Sequence, residues 1–96
     1  MTRWLLTEEA VSDLDRLTDF LLQTAPEAAA GTVDLILEAL QILASHPLVG
    51  RPLPEHLREL VISRGRTGYL ALYRYDESAD VALVLALRHQ RESDYH

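Results

Sequence analysis

The chain has 96 residues, of which 48% are apolar, and a formal net charge of −6. These values predict one folded domain, residues 1–96, with a single hydrophobic core. The absence of cysteine excludes disulfides, thiolate metal ligands and cysteine nucleophiles. The first residues lack the order of a signal peptide, and the longest apolar run, residues 81–87, is too short to cross a bilayer. We therefore expect a cytoplasmic protein that binds no membrane.

Arginine accounts for all nine Lys and Arg residues, and it is unevenly distributed. Acidic residues greatly outnumber arginines up to Val49, whereas the two are balanced from Gly50 onward. Because the guanidinium group suits carboxylates and phosphates, we expect recognition in the second half of the chain. The pI of about 5.0 argues against a protein that binds nucleic acid through its overall charge.

Apolar residues at helical spacing predict two helices joined by a short connection. Thr7 followed by Glu8 and Glu9 is typical of a helix start, with a hydroxyl cap and two carboxylates in the first turn. Residues 24–27 have the spacing of a capping box and open a second helix, which the His46-Pro47 step ends. The predicted buried stripes are Ala10, Leu14, Leu17 and Leu21 in the first helix and Val33, Ile36, Leu37, Leu40, Leu43 and Ala44 in the second.

The remaining segments predict strands and loops. Residues 3–6 are predicted as an edge strand, and residues 48–56, with two prolines and a glycine, as a loop. Three strands follow, and their short connections predict an antiparallel meander. The last strand has no polar alternation, so it should lie centrally or be covered on both faces. The three strands are residues 57–63, 69–75 and 81–88, with turns at residues 64–68 and 76–80.

This order predicts an α+β fold, β-α-α-β-β-β, with the helical hairpin packed on one face of a small antiparallel sheet. In the last strand, we expect the larger side chains at positions 81, 83, 85 and 87 to face the hairpin. Arg88 would then emerge on the opposite face with Ala82, Val84 and Ala86, and Arg58 would share that face.

Four short motifs occur in order along the second half of the chain: PLVGR at residues 47–51, LREL at 57–60, YLALYR at 69–74 and LRHQR at 87–91. With the chain length and the helical hairpin, they resemble the ParE/RelE superfamily of toxins from type II toxin–antitoxin pairs. That superfamily has a P-x-x-G-R loop, an L-R-E-L strand, a Y-x-x-x-Y-R strand and a terminal strand that leads into an H-x-R-like end. The resemblance covers nearly the whole chain.

The resemblance implies a small toxin that is held inactive by a cognate antitoxin. It also implies that the two form a hetero-oligomer and that the toxin contacts DNA only indirectly, through the antitoxin. ParE-like members inhibit DNA gyrase by protein–protein binding, whereas RelE-like members cleave mRNA on the ribosome. RelE-like enzymes commonly use lysine together with arginine at the cleavage centre, and this chain has no lysine. The sequence therefore resembles the ParE side more closely.

Cleavage of RNA by an internal 2′-hydroxyl needs a base, cations around the phosphate and an acid for the leaving oxygen. A ribonuclease built on this chain would use Arg58, Arg88, His89 and Tyr95. Arginine keeps its proton in proteins, so the base would be His89, Tyr95 or a carboxylate. The acidic pI disfavours binding to the ribosome. No cofactor is predicted, and no metal site is predicted because the histidines lack ligand spacing.

The polar end of the chain is therefore predicted to bind a partner protein. The predicted partner-binding residues are Arg58, Arg88, His89, Arg91 and Tyr95. For Arg58 and Arg88 the alternative is an ion pair with Glu59 or Glu92, and for His89 it is a cap on the last strand.

Other charged residues are predicted to have structural roles. Arg51 is expected to bond the carbonyls at the end of the second helix. Arg64 and Arg66 are predicted to lie at a solvated hairpin tip, and the acidic face of the first helix, Asp13, Asp15 and Asp19, to be solvated.

Three hypotheses about function stay open. The first is a ParE-like gyrase inhibitor that is neutralised by its antitoxin. The second is a RelE-like ribosome-dependent endoribonuclease. The third is a diverged toxin that only binds its antitoxin. We favour the first, because the chain has nine arginines and no lysine, and its polar end offers only His89 or Tyr95 for proton transfer.

Overall fold

In the computed structural model, which describes residues 1–62, 68–92 and 95, two helices pack on one face of a five-stranded sheet. The strand order is β1-β5-β4-β3-β2, so the last strand lies centrally, as predicted. The predicted α+β fold class is confirmed. None of the helices in the described ranges is long and apolar enough to cross a membrane. The elements are β1 (Arg3–Leu6), α1 (Glu8–Thr24), α2 (Pro26–Leu40), β2 (Arg51–Pro52), β3 (Arg58–Val61), β4 (Tyr69–Asp76) and β5 (Val81–His89).

The sheet is mixed rather than purely antiparallel. β3, β4 and β5 form the predicted antiparallel meander, and β2 adds a short antiparallel edge to it. β1 is an edge strand, as predicted, but it runs parallel to β5. The predicted loop at residues 48–56 contains β2 and a short 3₁₀ turn, Pro54–His56. The predicted turn at residues 64–68, with Arg64 and Arg66, lies outside the described residues except for Gly68.

Both helices form for the predicted reasons, with one correction. The Thr7 hydroxyl caps α1 by accepting a hydrogen bond from the backbone N–H of Ala10 at 3.1 Å. The predicted capping box at residues 24–27 is wrong, because Thr24 is still the last residue of α1 and its hydroxyl donates to the Phe20 carbonyl. Ala25 is the whole connection, and Pro26 opens α2 without a side-chain cap.

The hydrophobic core lies between the helices and the sheet. The predicted apolar stripes of the two helices are confirmed, because all of their residues are buried or half-buried. α2 continues into a 3₁₀ turn, Gln41–Ala44, which carries the stripe as far as Leu43. The fully buried large side chains are Ile36, Leu40, Leu43, Tyr73, Val84 and Leu87.

A bulge in β5 changes which of its side chains face the helices. Tyr73 pairs with Val84 but Leu72 pairs with Ala86, so Leu85 is an extra residue on β5. Ala82 and Val84 before the bulge, and Leu87 after it, belong to the core. The prediction that positions 81, 83, 85 and 87 all face the hairpin is therefore wrong for the first three. The extra residue shifts the alternation of the strand by one.

We call the side of the sheet under the helices the helical face and the other side the open face. Arg88 pairs with Leu70, and Glu59 pairs with Leu72, two residues further along β4. Side chains two residues apart lie on one face, so Glu59 and Arg88 share the open face. Arg58, one residue before Glu59, lies on the helical face. The prediction that Arg58 and Arg88 share a face is wrong.

α1 supplies a polar partner to the edge of β5 that β1 leaves free. Pairing between β1 and β5 ends at Val84. Further along this edge, the Asp13 carboxylate accepts a hydrogen bond from the backbone N–H of Leu87 at 2.9 Å. Asp13 is therefore buried, and the prediction that it is solvated is wrong. Asp15 and Asp19, on the outer side of α1, are exposed as predicted.

Candidate functional site

Four side chains meet on the open face, which we call the open-face cluster: Arg51, Glu59, Arg88 and Tyr95. The Tyr95 hydroxyl donates to Glu59 Oε2 at 2.6 Å. Arg51 donates to Glu59 Oε1 through both Nε (3.0 Å) and Nη2 (2.6 Å). The guanidinium carbon of Arg88 lies 5.0 Å from the centre of the Tyr95 ring, a cation–π contact. The cluster thus joins β2, β3, β5 and the residue at position 95.

Backbone carbonyls beyond β5 hold Arg88. Its Nη1 donates to the carbonyl of Glu92 and, at 3.4 Å, to the carbonyls of His89 and Gln90. The chain turns after β5, and a hydrogen bond from the Glu92 N–H to the His89 carbonyl at 3.0 Å closes this turn. Arg88 Nε is buried and has no hydrogen-bond partner among the described residues. Arg88 therefore fixes the path of the chain after the last strand, besides contributing a positive charge.

The protonation states in the cluster follow from burial and from the contacts. Burial alone would raise the pKa of Glu59, but hydrogen bonds from Tyr95 and Arg51 and the positive charges of Arg51 and Arg88 outweigh it, so the pKa lies below its usual range. Burial and the bond to the Glu59 carboxylate raise the pKa of Tyr95 far above its usual value. At neutral pH the carboxylate is ionised and the phenol is neutral.

His89 lies on the helical face, away from the open-face cluster. Its ring meets the Tyr69 ring edge-on, with the centroids 5.2 Å apart, and its Nδ1 accepts a hydrogen bond from the Arg91 N–H at 3.1 Å. This contact to the backbone matches the capping role considered for His89. A cavity of about 530 Å³ lies beside this end of β5 and α1, and its lining includes His89 and Phe20, of which Phe20 is 62% exposed.

The structure changes the structural contacts considered for both Arg51 and Arg58. Arg51 was expected to bond carbonyls near the end of the second helix, but it forms the ion pair with Glu59 instead. Arg58 bonds carbonyls of the loop that follows the second helix, because its Nη1 donates to Leu48 O at 3.0 Å and Gly50 O at 2.8 Å. The ion pair considered for Arg58 is therefore wrong, since Arg58 contacts carbonyl groups of the loop.

Tyr73 fixes the same loop from below. Its hydroxyl accepts a hydrogen bond from the Gly50 N–H and donates one to the Pro47 carbonyl, both at 2.8 Å. A Cβ atom on residue 50 would lie 2.6 Å from Cε1 of Tyr73, so only glycine fits here. Packing against Tyr73 thus explains the glycine of the P-x-x-G-R pattern. The arginine of the pattern, Arg51, forms the ion pair with Glu59.

Of the predicted site residues, Arg88 and Tyr95 come together, whereas Arg58 and His89 lie on the other face. The Arg91 side chain is exposed and makes no ion pair within the described part of the chain. Sequence reasoning gave Glu59 and Arg51 structural roles only and did not place them at the site. The alternation of side chains along LREL predicts that Glu59 and Arg58 lie on opposite faces of the sheet. The face on which Arg88 lies depends on a bulge that no sequence motif predicts. Among the described residues, no three His, Asp or Glu side chains are grouped so as to hold a metal ion.

Comparison with known proteins shows which class of protein has this fold. The chain is 38% identical over 87 residues to Toxin RelE3 of Caulobacter vibrioides, covering 91% of this chain and 92% of that one. It superposes with a TM-score of 0.76 on the chromosomal ParDE system of P. aeruginosa, at 25% identity, covering 93% of this chain and 96% of that one. The RelBE2 toxin–antitoxin complex of Mycobacterium tuberculosis gives a TM-score of 0.62 at 27% identity, with coverages of 93% and 98%.

These relatives define the class as the ParE/RelE superfamily of toxins. Within it, residues 5–94 match the family described as the ParE toxin of type II toxin-antitoxin system, parDE. The chain belongs to this family.

Proposed function

We propose that this toxin acts by binding DNA gyrase, without catalysing a reaction of its own, and that it does so in the cytoplasm. The observation that carries the proposal is the separation of the groups a nuclease would need. Arg58 and His89 lie on the helical face, and Arg88 and Tyr95 lie on the open face. A phosphate held by Arg88 would therefore meet neither the imidazole of His89 nor the guanidinium of Arg58.

The groups that remain near Arg88 are poorly suited to proton transfer. Tyr95 has a raised pKa, so it neither ionises to a base near neutral pH nor releases its proton readily as an acid. Glu59 is ionised, but its lowered pKa makes it a weak base, and Arg51 and Tyr95 already occupy its oxygens. A binding function needs none of these transfers. It needs positively charged side chains that a partner can contact, which Arg88 and the exposed Arg91 supply.

We also propose a cognate antitoxin as partner, so that DNA is met only through it. Two of the similar solved structures are described as a RelBE2 complex and a ParDE system. The helical hairpin carries large apolar side chains that are exposed in this chain, which a partner would cover. They are Val11, Phe20, Leu22 and Leu35.

One observation favours the RelE-like ribonuclease as a second candidate. The open-face cluster groups two guanidinium groups, a phenol and a carboxylate on one uncovered side of the sheet, and the 38% identical relative is named as a RelE toxin. In that case Arg51 and Arg88 would hold the phosphate, and Tyr95 would have to leave Glu59 before either could transfer a proton.

Two assays on the same purified protein test the proposal. Gyrase and relaxed plasmid are incubated with the toxin, and supercoiling and trapped double-strand breaks are measured. In parallel, ribosomes translating a defined mRNA are incubated with the toxin, and cleavage is mapped. We expect gyrase inhibition without mRNA cleavage. Cleaved mRNA with unaffected gyrase would overturn the proposal, and inactivity in both assays would support a diverged toxin that only binds its antitoxin.

Arg88→Ala and Arg74→Ala form a matched pair for these assays. Both remove an arginine from the open face, but Arg74 is exposed and makes no ion pair among the described residues. We expect Arg88→Ala to lose inhibition and Arg74→Ala to keep it.

A further inference from the structure

The end of β5 is held from the side by α1. Beyond Val84 no strand of the described residues pairs with this edge of β5. Side chains of α1 and its cap take the free backbone groups instead. The Thr7 hydroxyl donates to Leu85 O at 3.3 Å, and Arg16 Nη2 donates to Leu87 O at 3.3 Å. With Asp13 on the Leu87 N–H, α1 replaces a missing strand along this edge.

Arg16 extends this contact to the residues after the strand. Its Nη1 forms an ion pair with Glu92 at 2.9 Å, and its Nη2 lies 3.6 Å from the Asp13 carboxylate. The same Glu92 oxygen accepts a hydrogen bond from the His89 N–H at 3.3 Å. The Glu92 carbonyl, in turn, accepts from Arg88. A continuous path of contacts therefore leads from α1 through Glu92 to Arg88.

We propose that Arg16 is a positioning residue for the part of the toxin that binds its target. By holding Glu92, it fixes the turn after β5 and thereby the direction in which Arg88 and Arg91 are presented. The inference rests on the proposed function, because it takes this end of the chain as the target-binding surface.

The exposure of the pair separates this role from a purely structural one. The Arg16 and Glu92 side chains are 36% and 22% exposed, and partly exposed ion pairs add little to the stability of a fold. A fixed orientation of cations, in contrast, matters strongly for complementarity to a partner. Loss of the pair should therefore reduce inhibition of the target far more than it reduces the unfolding temperature.

A double-mutant cycle tests the proposal. Arg16→Ala and Glu92→Gln should each weaken gyrase inhibition by about tenfold, and the double variant should be no weaker than Arg16→Ala alone, since both changes break one path. Arg16→Lys should restore part of the inhibition, and Arg74→Ala should retain the wild-type value. Additive losses in the double variant, or a large drop in the unfolding temperature of Glu92→Gln, would overturn the proposal.

Hydrogen exchange supplies a readout that does not depend on gyrase. The His89 N–H bonds to Glu92, so its exchange should become faster in Arg16→Ala and in Glu92→Gln while that of core amides such as Val84 stays unchanged. Unchanged exchange at His89 would overturn the positioning role even if gyrase is inhibited. Faster exchange in a protein that leaves gyrase untouched would support the positioning role and overturn only the choice of target.

Discussion

Tyr95 and Glu59 are 36 residues apart in the chain, yet the phenol of one donates a 2.6 Å hydrogen bond to the carboxylate of the other. This bond ties the residue at position 95 to the third strand across the open face. It also brings the Tyr95 ring beside the Arg88 guanidinium, so this contact links Arg88 to Glu59 within the open-face cluster.

Replacing Tyr95 with phenylalanine should destabilise the fold by about 1–2 kcal/mol, because the buried Glu59 carboxylate loses a donor that water cannot easily replace. Urea unfolding at neutral pH measures the difference. Tyr75→Phe is the matched control. It removes a hydrogen bond of similar length to Asp80 at an exposed position, where water can take the place of the phenol. An equal loss in both variants would contradict the role given to burial.

The lowered pKa of Glu59 predicts how stability changes in acid. An unfolded glutamate has a pKa of about 4.3. Since the folded value is lower, the favourable contribution is fully present above that pH and is lost as the pH falls through the folded pKa. Unfolding free energies measured between about pH 6 and pH 3 should fall more steeply for wild type than for Glu59→Gln. Tyr95→Phe should lie between them, and parallel curves would refute the prediction.

Gly50 and Gly31 should respond to alanine in opposite directions. A Cβ on residue 50 would lie 2.6 Å from Tyr73, so Gly50→Ala should cost about 1–3 kcal/mol. Gly31 is exposed within α2, and a Cβ there meets nothing within 4 Å, so Gly31→Ala should gain up to about 1 kcal/mol. Thermal unfolding of both variants checks the pair. A stable Gly50→Ala protein would mean that the loop can move away from Tyr73.

Asp13 and Asp15 share a helix but differ in burial. Asp13→Ala should destabilise the protein by about 1–3 kcal/mol, because it leaves the Leu87 N–H without its partner. Asp15→Ala, on the exposed side, should change stability by less than about 0.5 kcal/mol. Chemical denaturation distinguishes the two, and similar values for both would argue against α1 as a substitute strand.

Arg91 should matter for toxicity but hardly for folding. Its side chain is exposed and forms no ion pair among the described residues, so Arg91→Ala should leave the unfolding temperature unchanged. Target inhibition should fall by about tenfold, since a cation placed for a partner is lost. Arg88→Ala should lower both quantities, because Arg88 also holds the turn after β5. If the Arg91→Ala variant inhibits its target as strongly as wild type, Arg91 is not part of the binding surface.

Periodicity was sufficient to predict the helices, the meander and the central position of β5, because each depends on where apolar residues recur along one segment. The positions of the arginines depend on contacts between segments. Arg51 rather than Arg58 pairs with Glu59 because the β2–β3 register sets Arg51 opposite Glu59, and neither residue type determines that register. The bulge at Leu85 decides the face of Arg88 in the same way. The sequence therefore predicted that arginines and Tyr95 form the candidate site, but of the contacts within the site it predicted only that Arg88 and Tyr95 lie together.

β5 is synthesised after every other described strand, yet it lies between β1 and β4. Until it leaves the ribosome, β1 has no strand to pair with and the helical hairpin has only part of a sheet to cover. The pairings of β5 with β1 and β4 must therefore form after translation has passed residue 89, as is expected for a fold with distant pairings. The strand that carries Arg88 is the last to be made, so the proposed target-binding surface is complete only when β5 has entered the sheet.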